Sequence, residues 1–436
     1  MAEEVSIPEG SMTKKTSMIQ EARRVCYKPG INIVQGSPID IIATATANEY
    51  LDCGSSYLYI RAKLETAAGG IPAINVVAPV NNTLHSIWDS VQIELNGKSI
   101  TGHGMHYAYR AYLENLLSFN PLTIDKNLDT EGFYYDTPAH MNSVILANAN
   151  ENTELRKRTL MWNEGHEVEL TGRLHSEIFH QEILLPPNVN MKLTLTPNKA
   201  KTCLVTPAPA NVGDAQPEFR VNIIDCHFYA RKVQLYPDIT LAQFKQHQTI
   251  PYEYPFRHID SQFLTLGNGI ATFSEMFHTN GQLPSRIIIG MISQNAHDGH
   301  YQHNPFNFQH FNLQNISLNV NGKVYPTTGQ LTTDYTATQN KYLAAYNNTL
   351  DALGILHTDR PFPIKYEHFR QGYALYAFDL TNEQTASSHN NVLIAGSCTL
   401  ELVFRVALVN PIYVFLYQEF DRKLILDSSN TPIGPF

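Results

Sequence analysis

Apolar residues recur at every second position along most of the chain, in short runs rich in β-branched and aromatic residues. Clusters of Gly, Pro and Asn separate these runs. The pattern is typical of an all-β sandwich or barrel, in which each strand turns alternate side chains towards a core. The clearest runs are 57–64 (YLYIRAKL), 91–95 (VQIEL), 191–196 (MKLTLT), 316–320 (ISLNV) and 400–406 (LELVFRV).

Helical spacing is found in three short segments. Aromatic and leucine residues at i, i+3, i+4 and i+7 predict one helix around Tyr109–Leu116 and another around Tyr342–Tyr346. A third helix is predicted to begin at Asp238, which follows Pro237 and would serve as its N-cap. Helix is therefore expected to be a minor component.

The two halves of the chain repeat the same succession of patterns. Residues 91–98 read VQIELNGK and residues 316–323 read ISLNVNGK, so alternating apolar positions precede Asn-Gly-Lys in both. Asn and Gly tolerate the positive φ angles of a two-residue hairpin turn. The residues predicted to form these structural turns are Asn96, Gly97, Asn321 and Gly322. Such a repeat indicates two tandem copies of one β unit.

A second pair of similar runs, 223–235 and 414–426, closes the two units with a shared Arg-Lys pair. Lys98 precedes Arg231 by 133 residues, whereas Lys323 precedes Arg422 by 99, so the first unit is longer by 34 residues. We expect the excess in a projecting loop near 120–165, where periodicity is weak and turn-forming residues are frequent.

These features divide the chain into five parts. They are an N-terminal arm (1–26), a first β unit (27–237), a helical linker (238–248), a second β unit (249–427) and a C-terminal tail (428–436). A jelly roll is the natural eight-stranded arrangement for each unit. The predicted fold class is therefore all-β, with two tandem antiparallel eight-stranded jelly rolls and a few short helices.

The charge of the chain argues against a general coating of nucleic acid. Lys and Arg number 31 and Asp and Glu number 40, a net charge of −9, whereas coating nucleic acid needs a basic surface. A local basic stretch lies in the arm, where the candidates for an inner-surface contact are Lys14, Lys15, Arg23 and Arg24. This arm is either a solvated terminus or a segment that orders against a neighbouring subunit, a minor shell component or the genome.

The five cysteines are scattered without a CxxC pair, which predicts reduced, buried thiols and an intracellular protein. The start of the sequence carries no basic region followed by an apolar one, and no stretch of 18 apolar residues occurs. We therefore expect neither secretion by a signal peptide nor a membrane span.

No motif of the chain predicts a catalytic residue or a bound cofactor. Gly97-Lys98-Ser99 resembles the end of a phosphate-binding loop, but Gln92 stands where that motif requires Gly. A GxSxG nucleophile motif is absent from the sequence as well. The chain is not expected to be an enzyme.

Histidines are the remaining candidates for chemistry. The cluster His297, His300, His303 and His310 lacks the ligand spacing of a cupin metal site, so we expect an exposed polar loop with incidental metal binding left open. His175 and His180 lie outside any HExxH motif and are expected in the core or at an interface. No metal ligand is therefore assigned.

Four runs resemble the hexon-type major capsid proteins of adintoviruses and of Polinton or Maverick elements. They are NNTLHSIWDSVQIELNGKSI (81–100), ILLPPNVNMKLTLTPN (183–198), FYARKVQLYPDI (228–239) and NLQNISLNVNGKVYP (312–326). The resemblance covers roughly residues 27–427 and rests on strand and turn signatures.

The resemblance implies a structural role. It implies a double jelly roll that homotrimerises into pseudo-hexagonal capsomers and tiles an icosahedral DNA-virus shell. The expected location is the virion capsid, assembled in the nucleus or cytoplasm of the host cell. Penton and minor capsid proteins are the expected further partners.

Two alternatives remain open from the residues alone. Tyr, Asn and His in the loops are compatible with a carbohydrate-binding or carbohydrate-active double β-sandwich. A metal-dependent, cupin-like enzyme is a weaker possibility, because a jelly roll serves viral shells, lectins and cupins alike.

Overall fold

The computed structural model describes residues 18–46, 48–101, 106–209, 215–279, 281–336, 338–384 and 394–433. The strands of the first half are β1 (Ile19–Tyr27), β2 (Ile39–Thr44), β3 (Glu49–Thr66), β4 (Ala78–Pro79), β5 (Trp88–Leu95), β6 (Lys98–Ser99), β7 (Val168–Gly172), β8 (Asn190–Pro197), β9 (Leu204–Val205) and β10 (Phe219–Leu235). The strands of the second half are β11 (Tyr252–Leu266), β12 (Thr272–Phe277), β13 (Arg286–Ser293), β14 (Leu313–Val320), β15 (Lys323–Tyr325), β16 (Leu331–Thr332), β17 (Leu375–Asp379), β18 (Cys398–Phe404), β19 (Ile412–Leu426) and β20 (Pro432–Ile433).

The helices are short and lie mainly in the connections. They are α1 (Thr83–Ser86), α2 (Tyr107–Ser118), α3 (Pro121–Lys126), α4 (Thr153–Trp162), α5 (Ala200–Cys203), α6 (Pro237–His247), α7 (Gln294–Asp298) and α8 (Leu343–Ala352). The 3-10 helices are Leu128–Glu131, Asn163–Gly165, Glu177–His180 and Tyr366–Arg370. Among the helices of the described residues, none has the length and apolarity needed to cross a bilayer.

Strand order is the same in both halves of the chain. In the first half the sheets run β1-β10-β3-β7 and β2-β8-β5-β6. In the second half they run β11-β19-β13-β17 and β12-β18-β14-β15, with the same succession of strands along the chain. Each half is an antiparallel sandwich of two four-stranded sheets with jelly-roll connectivity; the first half adds the two-stranded sheet β4-β9, and the second half adds β16 and β20. The predicted fold class is confirmed.

The repeated Asn-Gly pairs form matching two-residue turns, β5 to β6 and β14 to β15. The φ angles are 48° at Asn96, 80° at Gly97, 50° at Asn321 and 83° at Gly322. The side chain of Asn96 accepts a hydrogen bond from the amide of Asn190 (2.8 Å), and that of Asn321 accepts one from the amide of Ser397 (3.0 Å). Each turn is thereby tied to the strand that neighbours its own hairpin.

The arm boundary proposed at residue 26 differs from the structure. Strand β1 begins at Ile19 and pairs antiparallel with β10, from Ile19 opposite Leu235 to Tyr27 opposite Phe228. Most of its side chains are exposed, so the strand carries no alternating apolar pattern by which the sequence could have revealed it. The first jelly roll therefore begins at residue 19. At the other end of the chain, β20 lies in the predicted tail and pairs with β19.

The extra length of the first unit is divided between two connections. The connection 100–167 exceeds its counterpart 326–374, and the connection 198–218 exceeds its counterpart 405–411. The segment near 120–165 is also more regular than the loop expected there, because it contains α3 and α4. Asn120 and Asn152 cap these two polar helices by accepting hydrogen bonds from backbone amides.

The three helices expected from spacing correspond to α2, α6 and α8. The start of α6 differs by two residues from expectation, because Tyr236 occupies the N-cap and Pro237 the first helical position. Asp238 lies instead in the first turn, where its carboxylate faces the positive end of the helix dipole.

The sheet that contains β13 is buried on both faces. Ile287, Ile289 and Met291 point into the core of the second jelly roll. The alternate residues Ile288 and Ile292 join the core that fills the first jelly roll. Because side chains alternate between the two faces of a strand, neighbouring residues of β13 lie in two different cores. The two jelly rolls therefore share this sheet as their common wall.

Replacing Gly322 with Ala tests the turn geometry. A side chain at this positive φ should cost about 1 kcal/mol, because the left-handed conformation crowds a Cβ against the backbone. The matched control is Gly267→Ala, since at both glycines a Cβ would meet no other described atom within 4 Å but only Gly322 has a positive φ. Urea unfolding should show the loss for Gly322→Ala alone, and equal stability of the two variants would contradict it.

Candidate subunit interface

Helix α2 carries much of the contact between the two jelly rolls. Tyr112 stacks on Phe306 with ring centroids 4.2 Å apart and an angle of 2° between the planes. In the same interface, Tyr135 stacks on Tyr373 at 4.6 Å. Aromatic pairs at these distances contribute beyond the area that they bury. Stacked aromatic pairs therefore form part of the contact between the two jelly rolls.

A buried ionic cluster lies beneath these rings. Arg110 donates from Nε to Glu114 (2.8 Å) and from Nη1 to Glu177 (3.0 Å), and the hydroxyl of Tyr417 from the second jelly roll donates to Glu114 (3.2 Å). Burial would raise the pKa of Glu177, but Arg110 and His258 outweigh it and hold the pKa well below its usual range. The carboxylates are therefore ionised and join the two units through charged hydrogen bonds.

Histidines extend this cluster towards the first jelly roll. His175 Nδ1 lies 2.7 Å from Glu114 Oε2, and His180 Nε2 lies 3.2 Å from the same oxygen. His85 Nε2 lies 3.3 Å from Glu131 Oε2. Burial lowers the pKa of His175 to about 4, so its ring is neutral at pH 7. His175 is thus buried beside the interface, while His180 is more exposed.

Sequence reasoning missed His85 and Glu131 as members of this cluster. They are separated along the chain, and neither belongs to a motif. The sequence signal for these two residues is that both lie in connections between strands. His85 lies in NNTLHS, and Glu131 lies in the longer insertion. Only the folded connections bring them together.

The corresponding sheet of the first jelly roll is not a shared wall. Its outer face, on β3 and β10, carries Tyr57 stacked on Tyr229 (5.1 Å) and Tyr59 stacked on His227 (5.5 Å), all partly exposed. The hydroxyl of Tyr59 donates to Glu169 (2.6 Å), which raises the pKa of Tyr59 to about 12. We call these four stacked rings the outer aromatic patch.

Two of the four basic residues assigned to the arm, Arg23 and Arg24, lie on β1. Arg23 donates from Nε to Glu49 (3.2 Å), and Lys232 donates to the other oxygen of that carboxylate (2.8 Å). Arg24 lies over the ring of Tyr57 at 5.7 Å. Arg23 and Arg24 thus belong to the sheet of the first jelly roll, and Lys14 and Lys15 lie outside the described residues.

The histidines of the segment 297–310 are spread over separate contacts. His297 stacks on Tyr413 (3.8 Å), and His310 stacks on Tyr335 (4.0 Å). His300 and His303 contact each other at 5.2 Å. The groups of described residues close enough to share a metal ion lie elsewhere, in the cluster beneath α2.

The cysteines are free thiols, as the spacing predicts. Cys53, Cys203, Cys226 and Cys398 are buried, and Cys26 on β1 is exposed. Burial raises the pKa of Cys203 and of Cys226 to about 12, so these thiols are protonated and unreactive.

Comparison with known proteins finds one sequence relative and a set of structural neighbours. No family model matches the chain. An uncharacterized protein of Caenorhabditis elegans is 22% identical over 414 residues, which cover 91% of this chain and 93% of that protein. This relative carries no description of its function.

The structural neighbours are viral. A chain of the Sputnik virophage structure matches with a TM-score of 0.61 and 11% identity, over 99% of this chain and 91% of that one. The Faustovirus major capsid protein matches with a TM-score of 0.56 and 9% identity, over 97% and 93%. The mavirus major capsid protein matches with a TM-score of 0.53 and 13% identity, over 99% and 92%. The chain therefore has the fold of double jelly-roll capsid proteins along nearly its whole length.

Replacing Glu49 with Gln should destabilise the first jelly roll by about 2 kcal/mol at pH 7, because it removes a buried charge partner of Lys232 and Arg23. Burial raises the pKa of Glu49, but hydrogen bonds from these two residues outweigh it and lower the pKa to about 2. Since the folded pKa lies below the unfolded value, the stabilisation is complete above pH 4.5 and fades as the pH falls towards 2.

Urea unfolding between pH 7 and pH 3 measures this difference. The matched control is Glu253→Gln, which breaks the exposed pair with Lys423 and should cost less than about 1 kcal/mol. An equal loss of unfolding free energy in the two variants would contradict the buried ion pairs assigned to Glu49. A loss for Glu49→Gln that does not become smaller at low pH would contradict them as well.

Proposed function

We propose that the protein is a structural major capsid protein, a hexon that homotrimerises and tiles an icosahedral DNA-virus shell. The observation that carries the proposal is the difference between two equivalent sheets. The sheet of the second jelly roll is covered by the first, while the outer aromatic patch leaves its counterpart partly exposed. Aromatic residues exposed together are typical of an interaction surface.

A closed ring of three chains covers this surface. Within one chain, the first jelly roll packs on the outer face of the second. A contact of the same kind between chains would place the second jelly roll of one copy on the outer aromatic patch of the next. Such head-to-tail interfaces close into a ring when the rotation permits. Three chains supply six jelly rolls, so the trimer has a nearly hexagonal outline.

The fold agrees with this role. The structures that match over 97% or more of the chain include two named major capsid proteins. We prefer the capsid role to the carbohydrate-binding alternative because the match extends through both jelly rolls and their connection. We assign the protein to the virion capsid, assembled inside the host cell, with penton and minor capsid proteins as further partners and no catalytic role.

Replacing Tyr229 with Glu tests the trimer interface. The wild-type chain should form a species of three times its 49.1 kDa mass at micromolar concentration. A carboxylate in the outer aromatic patch should dissociate it, because a charge buried at an interface without a partner is costly. Mass photometry measures the distribution directly.

The matched control is Tyr236→Glu, which introduces the same charge at an exposed tyrosine just before the linker helix. This variant should remain trimeric. A wild-type monomer would overturn the capsid proposal, and a trimer that tolerates Tyr229→Glu would overturn the assignment of its interface.

Removing residues 1–17 tests the basic arm. We propose that Lys14 and Lys15 contact the genome on the inner surface, so the truncated chain should form trimers but assemble shells or package DNA poorly. Removal of residues 1–26 is a different experiment, because it also deletes most of β1 and should destabilise the sheet. Mass photometry measures trimer formation, and electron microscopy measures shell assembly. Loss of the trimer in the chain that lacks residues 1–17 would contradict the proposal that the arm acts in assembly or packaging and not in trimer formation.

A further inference from the structure

Three buried side chains converge beneath α2. His85 lies on α1, Glu131 ends the 3-10 helix Leu128–Glu131, and His175 follows β7. All three residues are buried, and each offers one ligand atom within 4.8 Å of the other two. Three different connections of the first jelly roll therefore meet at one point.

Each of the three side chains is oriented by a residue of α2. The contacts are His85 Nδ1 with the hydroxyl of Tyr107 (2.9 Å), His175 Nδ1 with Glu114 Oε2 (2.7 Å) and Glu131 Oε2 with Asn115 Nδ2 (3.0 Å). Metal-binding histidines use their second ring nitrogen in this way, and such outer contacts fix the tautomer and the direction of the ring. With Nδ1–H donated to Glu114, the lone pair of His175 is on Nε2.

The charge of the cluster also favours a cation. Among the described residues, the ion pairs of this cluster join the carboxylates of Glu114, Glu131 and Glu177 to one guanidinium, that of Arg110, and otherwise to histidines. These four side chains are between 6% and 12% exposed. A buried carboxylate without a compensating charge is costly, so a divalent cation at Glu131 would stabilise the cluster.

We propose that His85, Glu131 and His175 bind one Zn²⁺ ion. Two imidazoles and one carboxylate are a donor set that zinc accepts, with a fourth position for water. A cleft of about 320 Å³, lined by Ser55, Ser56 and Arg173, reaches Glu131 and His175 and provides the route of entry.

Zinc binding changes one tautomer without loss of a proton. His85 Nε2 lies 3.3 Å from Glu131 Oε2, and because an ionised carboxylate can only accept, this contact places the proton of His85 on Nε2 in the metal-free chain. Zinc takes the Nε2 lone pair, and the proton is carried on Nδ1, where the hydroxyl of Tyr107 accepts it. The second group of close ligands, Glu114 with His175 and His180, is a poorer site because Arg110 already pairs with Glu114 and His180 is 36% exposed.

The ion would link three parts of the first jelly roll beneath α2. These are α1, the long insertion that contains Glu131, and the segment that follows β7. Because α2 packs against the second jelly roll, the site stabilises the contact between the two units. This inference does not depend on the capsid role, since it concerns the fold of a single chain.

The test is metal analysis of the full-length chain after equilibration with Zn²⁺ and removal of the excess. We expect about one zinc per chain in the wild type, little in His85→Gln and Glu131→Gln, and the wild-type amount in the control His303→Gln. Zinc should also raise the melting temperature of the wild type but not that of His85→Gln. Co²⁺ in place of zinc should give the visible absorption of a four-coordinate site.

A wild-type chain that binds no stoichiometric zinc and shows no four-coordinate Co²⁺ spectrum would overturn the site, and this outcome needs no variant to fold. Equal zinc in His85→Gln and wild type would overturn the ligand assignment. The oligomeric state is measured on the same samples. A trimer without zinc refutes this inference alone, and a monomer with zinc refutes the capsid proposal alone.

Discussion

The double burial of the sheet β11-β19-β13-β17 is the constraint on which the rest of the structure depends. A sheet with one wet face needs polar residues at alternate positions, whereas β13 is apolar at nearly every position from Ile287 to Ile292. This strand would expose several large apolar side chains if the first jelly roll did not cover it. The two halves therefore pack against each other through this sheet, and Tyr109 of α2 contacts Phe415 on its outer face.

The same wall explains why charges are buried beside it. The hydroxyl of Tyr417 on β19 donates to Glu114 (3.2 Å), and the backbone amide of Ile259 on β11 donates to Glu177 (3.1 Å), so both contacts cross between the units. Polar groups in a dry interface cost free energy unless each finds a partner, so they specify one relative position of the two units. Apolar packing supplies the area of the contact, and these charged hydrogen bonds supply its register.

Much of the fold could be predicted from alternation and turn chemistry, since both are local properties. The Asn-Gly turns repeat because a two-residue hairpin requires positive φ at two successive positions, and the strands around them repeat because both units bury one face. Strand β1 was not predicted because backbone hydrogen bonds to β10, rather than side-chain burial, hold it in the sheet. The cluster of His85, Glu131 and His175 could not be predicted from the sequence for another reason. Its members come from three connections, and only the tertiary fold brings these connections together.

Duplication leaves the chain with an asymmetry between two equivalent sheets. When two copies of one unit pack head to tail, the contact surface of one copy is covered (the satisfied surface) and the equivalent surface of the other copy stays exposed (the free surface). In this chain the satisfied surface is the apolar face of β13 and β19, and the free one carries the outer aromatic patch with its Tyr59–Glu169 hydrogen bond and half-exposed rings. The free surface carries hydroxyl and imidazole groups, whereas the satisfied one is apolar along β13. In the proposed trimer, a surface of this intermediate polarity suits a contact that forms between chains after each chain has folded.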